Sequence, residues 1–497
     1  MHATTDTLAE TPATQGGGRS PWLALYVLCA GMLMIVLDVT IVNVALPAIQ
    51  DDLGFTSASL AWVVNAYLIA FGGLLLLAGR LGDLLGRRTI FVSGLIVFTV
   101  ASVLCGLASS AEVLVAARFL QGIGGALTSA VILGMIVTLF PEPREQAKAI
   151  GVYAFVASAG GSIGLLAGGV LTQAISWHWI FFVNLPIGIA TVAVALKVIE
   201  KDKGIGFGRG TDVPGAVLIT SALMVGVFTI VKPAAELGWT SGRTIALSLL
   251  TLTLLACFIV REATAANPLV PLRIFKSRTL TGANLIQALS AAGMFGIFFL
   301  GSLYLQRVLG YDALEIGLAF LPTTLVMGLL SVRYSEKLVM RFGARRPLIG
   351  GLVLIAIGLA LFTQAPVNGN YFIHVMPVLL LLGLGGGVCF PALMGLGMAD
   401  VKPEDAGLAS GLMGTTAEIG AALGLAVLAT LAATRTETLA EAGQPTLDAL
   451  TSGYHLSFAI AGLLVTAAVV IACTVMRPTR ATTTSDEATE ELALDAA

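Results

Sequence analysis

Three ionisable side chains lie within long apolar stretches of this 497-residue sequence, namely Asp38, Arg118 and Glu418. An ionisable group at the centre of a membrane helix costs about 2.5–3.5 kcal/mol, so such residues are functional candidates by default. Burial penalises the charged form of a carboxylate, which lets a buried acid bind a proton and release it when water reaches it. The sequence therefore predicts proton exchange at Asp38, with Arg118 tuning it. Glu418 is expected to carry a second proton or to attract a cationic substrate.

Each of these residues also has a structural interpretation. Asp38 can pair with a neighbouring helix for packing alone, and Glu418 can bond to a nearby Ser or Thr. Arg118 can extend its long side chain to the outer interface near Glu112. Gln121 follows Arg118 by three residues, so both lie on one helix face and Gln121 can bond either substrate or Arg118.

The composition requires a membrane around these residues. Hydrophobic residues make up 57% of the chain and charged residues 11%, which is more apolar surface than a water-soluble core can bury. Apolar stretches of about 20 residues predict fourteen transmembrane helices in an all-α polytopic membrane protein. The expected limits are 21–46, 60–78, 89–108, 113–138, 149–173, 178–198, 213–231, 243–260, 280–306, 314–332, 347–364, 371–395, 406–432 and 454–475.

The spacing of these stretches divides the helices into groups of six, two and six. The predicted units are a flexible tail (1–19), a six-helix bundle (20–199), two peripheral inserted helices (200–265), a second six-helix bundle (266–476) and a disordered tail (477–497). Most of the 27 Lys and Arg residues fall on one set of loops. The positive-inside rule therefore places both termini in the cytoplasm. The expected location is a bacterial inner membrane.

Several other functions are not expected from the composition. A net charge of −2 gives no basic face for nucleic acid. The five cysteines have no paired spacing, so they are expected to be reduced, buried and structural, and neither they nor the four histidines predict a metal site. The sequence lacks a P-loop, so no cofactor is expected and a proton gradient is the predicted energy source.

A charged, glycine-rich loop at residues 79–91 (GRLGDLLGRRTIF) separates two apolar stretches. Its composition fits an ordinary positive-inside loop or the gating loop of a transporter. Residues 333–347 (RYSEKLVMRFGARRP) occupy the same place in the second half, as a decayed copy. Duplicated halves with a substrate site near the bilayer midplane are a common transporter plan.

The loop resembles the signature of the major facilitator superfamily, and further segments resemble its fourteen-helix drug/proton antiporter branch. These segments are LDVTIVNVALP (37–47), RFLQG followed by Gly124 and Gly125 (118–125), WHWIFFVNLPIG (177–188) and NPLVPLRIFKSR (267–278). A further set matches the glycine spacing of the antiporter motif and comprises Gly151, Gly160, Gly164, Gly168 and Gly169. Two positions depart from the family pattern, because Leu165 replaces a Pro that the family associates with export and His178 replaces an Arg.

The resemblance implies a major facilitator fold of two six-helix bundles plus two inserted helices. The residues predicted to act in the gating loop are Gly79, Asp83, Gly86, Arg87 and Arg88. Asp83, with Arg87 and Arg88, is expected to form a latch that stabilises one conformation. Gly160, Gly164 and Gly168 recur every four residues and predict a groove for close packing between the halves. Polar residues that either line a substrate cavity or tie helices together are Asn43, Tyr67, Gln121, Asn284 and Gln287.

Together these features predict a non-enzymatic secondary transporter that exports amphipathic or cationic drugs or antibiotics in exchange for protons. Its expected partners are a small organic substrate, protons and the lipid bilayer. Because Leu165 removes the helix-bending Pro, a proton-coupled importer or facilitator of a metabolite remains open. A membrane sensor that has lost transport is the other alternative, although such a protein has little reason to retain a costly buried acid.

Overall fold

The computed structural model describes residues 20–55, 60, 62–206, 212–234, 237–265, 268, 270–311 and 313–476. The predicted tails 1–19 and 477–497 lie outside the described residues. Fourteen stretches of the described chain are helical, apolar and long enough to cross a membrane, which confirms the predicted number. The fold class is confirmed as an all-α polytopic membrane protein, since the described residues contain no strand.

The membrane helices are numbered here in chain order. They are α1 (Pro21–Leu53), α2 (Trp62–Leu85), α3 (Arg87–Gly106), α4 (Ala111–Leu139), α5 (Pro143–Ala174), α6 (Asn184–Val198), α7 (Val213–Thr229), α8 (Gly242–Thr264), α9 (Arg278–Arg307), α10 (Ala313–Arg333), α11 (Arg345–Phe362), α12 (Met376–Met398), α13 (Ala406–Glu441) and α14 (Thr446–Thr474). A short helix (Trp179–Phe182) leads into α6, and another (Ser335–Phe342) lies between α10 and α11. Single π-helical turns extend α7 (Ile230–Ala234) and precede α12 (Tyr371–Val375).

Several helix ends differ from the predicted limits. α1 continues to Leu53, where Gly54 ends it with φ +67°, and α13 continues to Glu441. Hydropathy marks only the part of a helix that lies in lipid, whereas backbone hydrogen bonds continue into polar residues beyond it. The sixth span is interrupted at Val183, so α6 begins at Asn184 rather than near 178.

Two large buried clusters fill the molecule, one built mainly from α1–α6 and the other from α9–α14. The inserted helices share a small buried cluster with Leu76 of α2 and Leu408 of α13. α7 packs on α2, where a Cβ on Gly73 would meet Met224. α8 buries only Thr244, Phe258 and Glu262.

The two clusters meet closely at one end of the molecule, which carries the turn at residues 79–88 and the short helix Ser335–Phe342. We call this the basic end. There α2 crosses α13, and a Cβ on Gly79 would meet the carbonyl oxygen of Gly407. α5 crosses α10, and a Cβ on Gly151 would meet the carbonyl oxygen of Ser331. Glycine at these crossings lets the two backbones approach closely.

Candidate functional site

Asp38 and Arg118 form a fully buried ion pair between α1 and α4. The Arg118 Nη1 atom donates to Asp38 Oδ2 at 2.6 Å, and Arg118 Nε donates to the carbonyl oxygen of Val63 on α2 at 2.9 Å. Asp38 is 0% exposed and Arg118 is 1% exposed. The interpretation in which Arg118 extends to the outer interface near Glu112 is therefore wrong.

Three further polar side chains complete what we call the Asp38 cluster. Gln121 Nε2 donates to Asp38 Oδ1 at 2.7 Å, while its Oε1 accepts from Arg118 Nη1 at 2.7 Å. Asn184 Nδ2 donates to Asp38 Oδ1 at 3.1 Å and to Ser102 Oγ at 3.0 Å. Ser102 Oγ in turn donates to the carbonyl oxygen of Phe181 at 2.9 Å. Four helices thus converge on one carboxylate.

Ser102 and Asn184 were missed by sequence reasoning. Asn184 begins α6 immediately before a Leu-Pro pair, within the family-like segment 177–188, and a lone amide in an apolar stretch was its only signal. Ser102 lies among small and apolar residues of α3 and had no signal, because a serine in a membrane helix commonly bonds its own backbone. Only the fold places both beside Asp38.

The cluster is electrically neutral while Asp38 is ionised and Arg118 is charged. Every neighbour of the carboxylate is a hydrogen-bond donor, which stabilises its charged form. A proton on Asp38 would remove the opposite charge from Arg118 and leave a buried guanidinium without its partner. Leaving a buried charge without its partner is strongly unfavourable, because the apolar interior cannot solvate it. The arrangement can therefore convert proton binding into a change in the position or hydration of Arg118.

Glu418 lies half-buried on α13. Its carboxylate forms no hydrogen bond or ion pair with the described residues, so the expected Ser or Thr partner is not found there. Neighbouring Thr416 instead donates to Asn284 on α9 at 2.9 Å. The part of α13 just before Glu418 packs on α2, since Cβ atoms on Gly411 and Gly414 would meet Leu75. Glu418 is thus an acid within reach of the first bundle and available to a cation.

The predicted cavity residues divide into three groups. Gln121 belongs to the Asp38 cluster. Asn284 ties α9 to α13 through Thr416 and also donates to the carbonyl oxygen of Leu280 at 2.9 Å, so it acts as a tie. Tyr67 is fully buried with its hydroxyl unbonded, and Gln287 Oε1 is also buried without a hydrogen bond among the described residues. The side chain of Asn43 lies outside the described residues.

Asp83 joins the two bundles at the basic end. Its Oδ1 accepts from the Gly407 amide at 2.9 Å and its Oδ2 from the Leu408 amide at 2.8 Å, at the start of α13. The positive end of a helix dipole favours a carboxylate in this position. Arg87 Nη2 donates to Asp83 at 3.0 Å and also contacts the carbonyl oxygen of Pro403. Asp83 and Arg87 therefore bond directly across the bundle boundary.

Arg88 does not take part in this contact, contrary to expectation. Its side chain donates to the carbonyl oxygen of Leu196 at 2.7 Å, within the first bundle. Asp202, which sequence reasoning missed, accepts from the backbone amides of Arg87 at 2.6 Å and Arg88 at 3.1 Å. It satisfies free donors at the start of α3. The turn itself depends on Gly86, whose φ of +96° suits glycine.

The glycines of α5 pack differently from the expectation. Gly160, Gly164 and Gly168 face α1, where added Cβ atoms would meet Val36, Thr40 and Ile41. The groove therefore holds α1 within the first bundle, and the predicted packing between the halves is wrong for these three glycines. Gly151 alone of the motif faces the second bundle. Gly169 faces open space.

The described residues contain no group of three side chains suited to hold a metal ion. Cys29, Cys105 and Cys389 are buried as predicted, whereas Cys257 and Cys473 are exposed. These two lie on α8 and α14, and the prediction that they are buried is wrong. Position in an apolar sequence does not distinguish a core-facing side chain from a lipid-facing one.

Comparisons with known proteins agree with this architecture. The family model described as Major Facilitator Superfamily matches residues 28–425. The puromycin resistance protein pur8 of Streptomyces alboniger is 37% identical over 466 residues, which are 92% of each chain. The cephamycin export protein CmcT of Amycolatopsis lactamdurans is 38% identical over 411 residues, covering 82% of this chain and 84% of that protein. The solved proton:xylose symporter XylE shares the fold with a TM-score of 0.64 at 14% identity, covering 93% of this chain and 97% of its own.

Proposed function

This chain belongs to the Major Facilitator Superfamily, and from that premise we propose that it exports cationic or amphipathic organic compounds in exchange for protons. The chain is a multi-pass membrane transporter and not an enzyme. Relatives covering most of its length bear names of antibiotic resistance or export. From these relatives we infer that this chain exports an antibiotic-like compound.

The buried pair of Asp38 and Arg118 is the observation that carries the proton-coupled part of the proposal. Three polar side chains and one backbone carbonyl organise this pair at 0–1% exposure, at a cost that a protein without proton chemistry has no reason to maintain. When the site opens to the more acidic side, Asp38 binds a proton. When it opens to the other side, the proton leaves and the pair with Arg118 forms again.

Glu418 supplies the substrate side of the proposal. A half-buried carboxylate without a bonded partner among the described residues attracts a cation in a medium of low dielectric constant. The contact of Asp83 with the start of α13 holds the basic end closed in one state. Alternating access then requires this contact to break when the opposite end closes.

Proton release from energised inverted membrane vesicles tests the proposal. Respiration acidifies the vesicle lumen, and addition of a transported compound is expected to release protons, measured as recovery of acridine orange fluorescence. The Asp38→Asn variant is the matched control and is expected to give no recovery at the same protein level. Absence of recovery in the native protein across a broad panel of compounds would refute antiport, and substrate-driven acidification would indicate the opposite direction.

We also propose that the basic end and both termini face the cytoplasm of the inner membrane, as the Lys and Arg distribution supports. In a chain with its five cysteines replaced, Gln444→Cys on the α13–α14 loop should react with a membrane-impermeant maleimide in intact cells. Lys337→Cys on the short helix Ser335–Phe342 should react only after permeabilisation. The reverse pattern would overturn this orientation.

A further inference from the structure

Tyr67 lies on α2, the helix that supplies the Val63 carbonyl oxygen to Arg118 and that also packs on the helix of Glu418, α13. The guanidinium carbon of Arg118 is 4.5 Å from the centre of the Tyr67 ring, in cation–π contact. The same ring stacks on Phe71 with centroids 5.5 Å apart and planes inclined by 13°. α2 and α13 cross with Gly79 against Gly407 and Leu75 against Gly411, so Glu418, two turns beyond Gly411, lies near the level of Tyr67. One aromatic side chain therefore borders the Asp38 cluster and lies near the level of the acid of the second bundle.

The hydroxyl of Tyr67 has no hydrogen-bond partner among the described residues, although the side chain is 0% exposed. A buried hydroxyl left unbonded is unfavourable, and phenylalanine would avoid this cost at almost the same volume. Glycine on α4 makes room for the group, because a Cβ on Gly125 would lie 2.8 Å from the hydroxyl oxygen. The fold thus accommodates a polar atom that this conformation does not bond.

Protonation of Asp38 changes the balance of charge around Tyr67. Arg118 is bonded to the carboxylate of Asp38, and Glu418 lies on α13, which packs on the helix of Tyr67. When Asp38 is neutralised by a proton, the field of Arg118 is no longer cancelled, and the carboxylate that remains charged near Tyr67 is Glu418. A cation held at Glu418 is then repelled by Arg118. The strength of this repulsion depends on where the Tyr67 ring holds the guanidinium.

We propose that Tyr67 is a positioning residue that couples protonation of Asp38 to release of a cationic substrate from Glu418. Its ring holds the guanidinium of Arg118 beside Asp38, and its hydroxyl donates a hydrogen bond to Glu418 when the substrate has left. The inference rests on the proposed proton-coupled function and specifies a cation as the coupled substrate. It involves no covalent step, and the only proton that is transferred is the one on Asp38.

Tyr67→Phe tests the role of the hydroxyl in purified protein reconstituted into liposomes with an imposed pH gradient. Transport of ethidium, a cation, should fall about tenfold, the effect of losing one hydrogen bond to a charged group. Transport of chloramphenicol, a neutral compound, should change less than about twofold if the native protein carries it. Tyr153→Phe is the matched control, since it removes another buried tyrosine hydroxyl of the same bundle, whose nearest polar contact is the sulfur of Met32 at 3.9 Å.

A double-mutant comparison separates coupling from packing. Adding Tyr67→Phe to Glu418→Gln should cause no further loss of ethidium transport, because the hydroxyl then has no carboxylate to bond. Equal losses for both compounds, or additive losses in the double variant, would overturn the inference and assign Tyr67 to packing. The Tyr67→Leu variant should also shift the pH dependence of proton release, because Arg118 loses its aromatic support, and an unchanged profile would refute the role of the ring.

The outcomes also distinguish this inference from the proposed function. If the native protein releases no protons in response to any compound, the proposed function fails. If the native protein and Tyr67→Phe give the same proton release and ethidium transport, the proposed function stands and the role of Tyr67 is refuted.

Discussion

Replacement of Asp38 by Asn separates the structural and functional roles of the buried pair. The variant keeps the shape of the side chain and one acceptor for the Gln121 and Asn184 amides, but it removes the charge that balances Arg118. Removing one partner of a buried ion pair typically costs about 3–5 kcal/mol. Asp38→Asn should therefore lower the thermal midpoint of the detergent-solubilised protein and abolish substrate-driven proton release.

The double variant Asp38→Asn with Arg118→Gln restores neutrality in the cluster. It should recover most of the lost thermal stability, because no buried charge then lacks its partner. Proton release should remain absent, because no group in the cluster can bind the coupled proton. Stability is measured by a thermal shift assay with a thiol-independent dye, and coupling by acridine orange in inverted vesicles. Proton release by either variant at the native rate would refute the assignment of Asp38 as the proton site.

Three further predictions address the remaining residues. Asp83→Asn should slow transport about tenfold without weakening substrate binding, because the state closed at the basic end loses one charge-assisted bond at the start of α13 and is reached less often; transport at the native rate would leave the loop with a role in topology only. Glu418→Gln should weaken binding of ethidium more than that of a neutral compound, and an equal effect on both would contradict a cation site. Gly164→Ala should reduce the yield of folded protein, because its Cβ would press on Thr40, whereas Gly169→Ala should be neutral; equal yields measured by size-exclusion chromatography would contradict this packing.

The fold was predictable because a helix that crosses a membrane needs an apolar sequence of a defined length. Each span must satisfy its backbone within one helix, so an apolar stretch of sufficient length has few alternatives. The number of helices followed from this constraint alone. The helix ends did not, since α13 continues to Glu441 through polar residues that hydropathy excludes.

The site was predictable only where a residue was costly in itself. Asp38 and Arg118 stand out in the sequence because a charged side chain within a membrane helix is costly. The structure brings them together at 2.6 Å. Ser102 and Asn184 complete the same cluster but cost little in a membrane helix, so they gave no comparable signal. The sequence also did not show which helix packs in the α5 glycine groove. Spacing shows that three glycines share a face, whereas only the fold shows that this face holds α1.

The two copies of the charged loop differ in how they join the bundles, and this difference bears on how the basic end opens. In the first copy, Asp83 is 4% exposed and bonds two amides of α13 directly. In the second copy, Glu336 occupies the place of Gly79 and pairs with Arg144 at 2.6 Å, where the Arg144 side chain is 70% exposed. An exposed pair is screened by water and ions and holds the bundles weakly. If this end opens during transport as proposed, we expect breaking the buried contact between α2 and α13 to cost more free energy than breaking the exposed pair of Arg144 and Glu336.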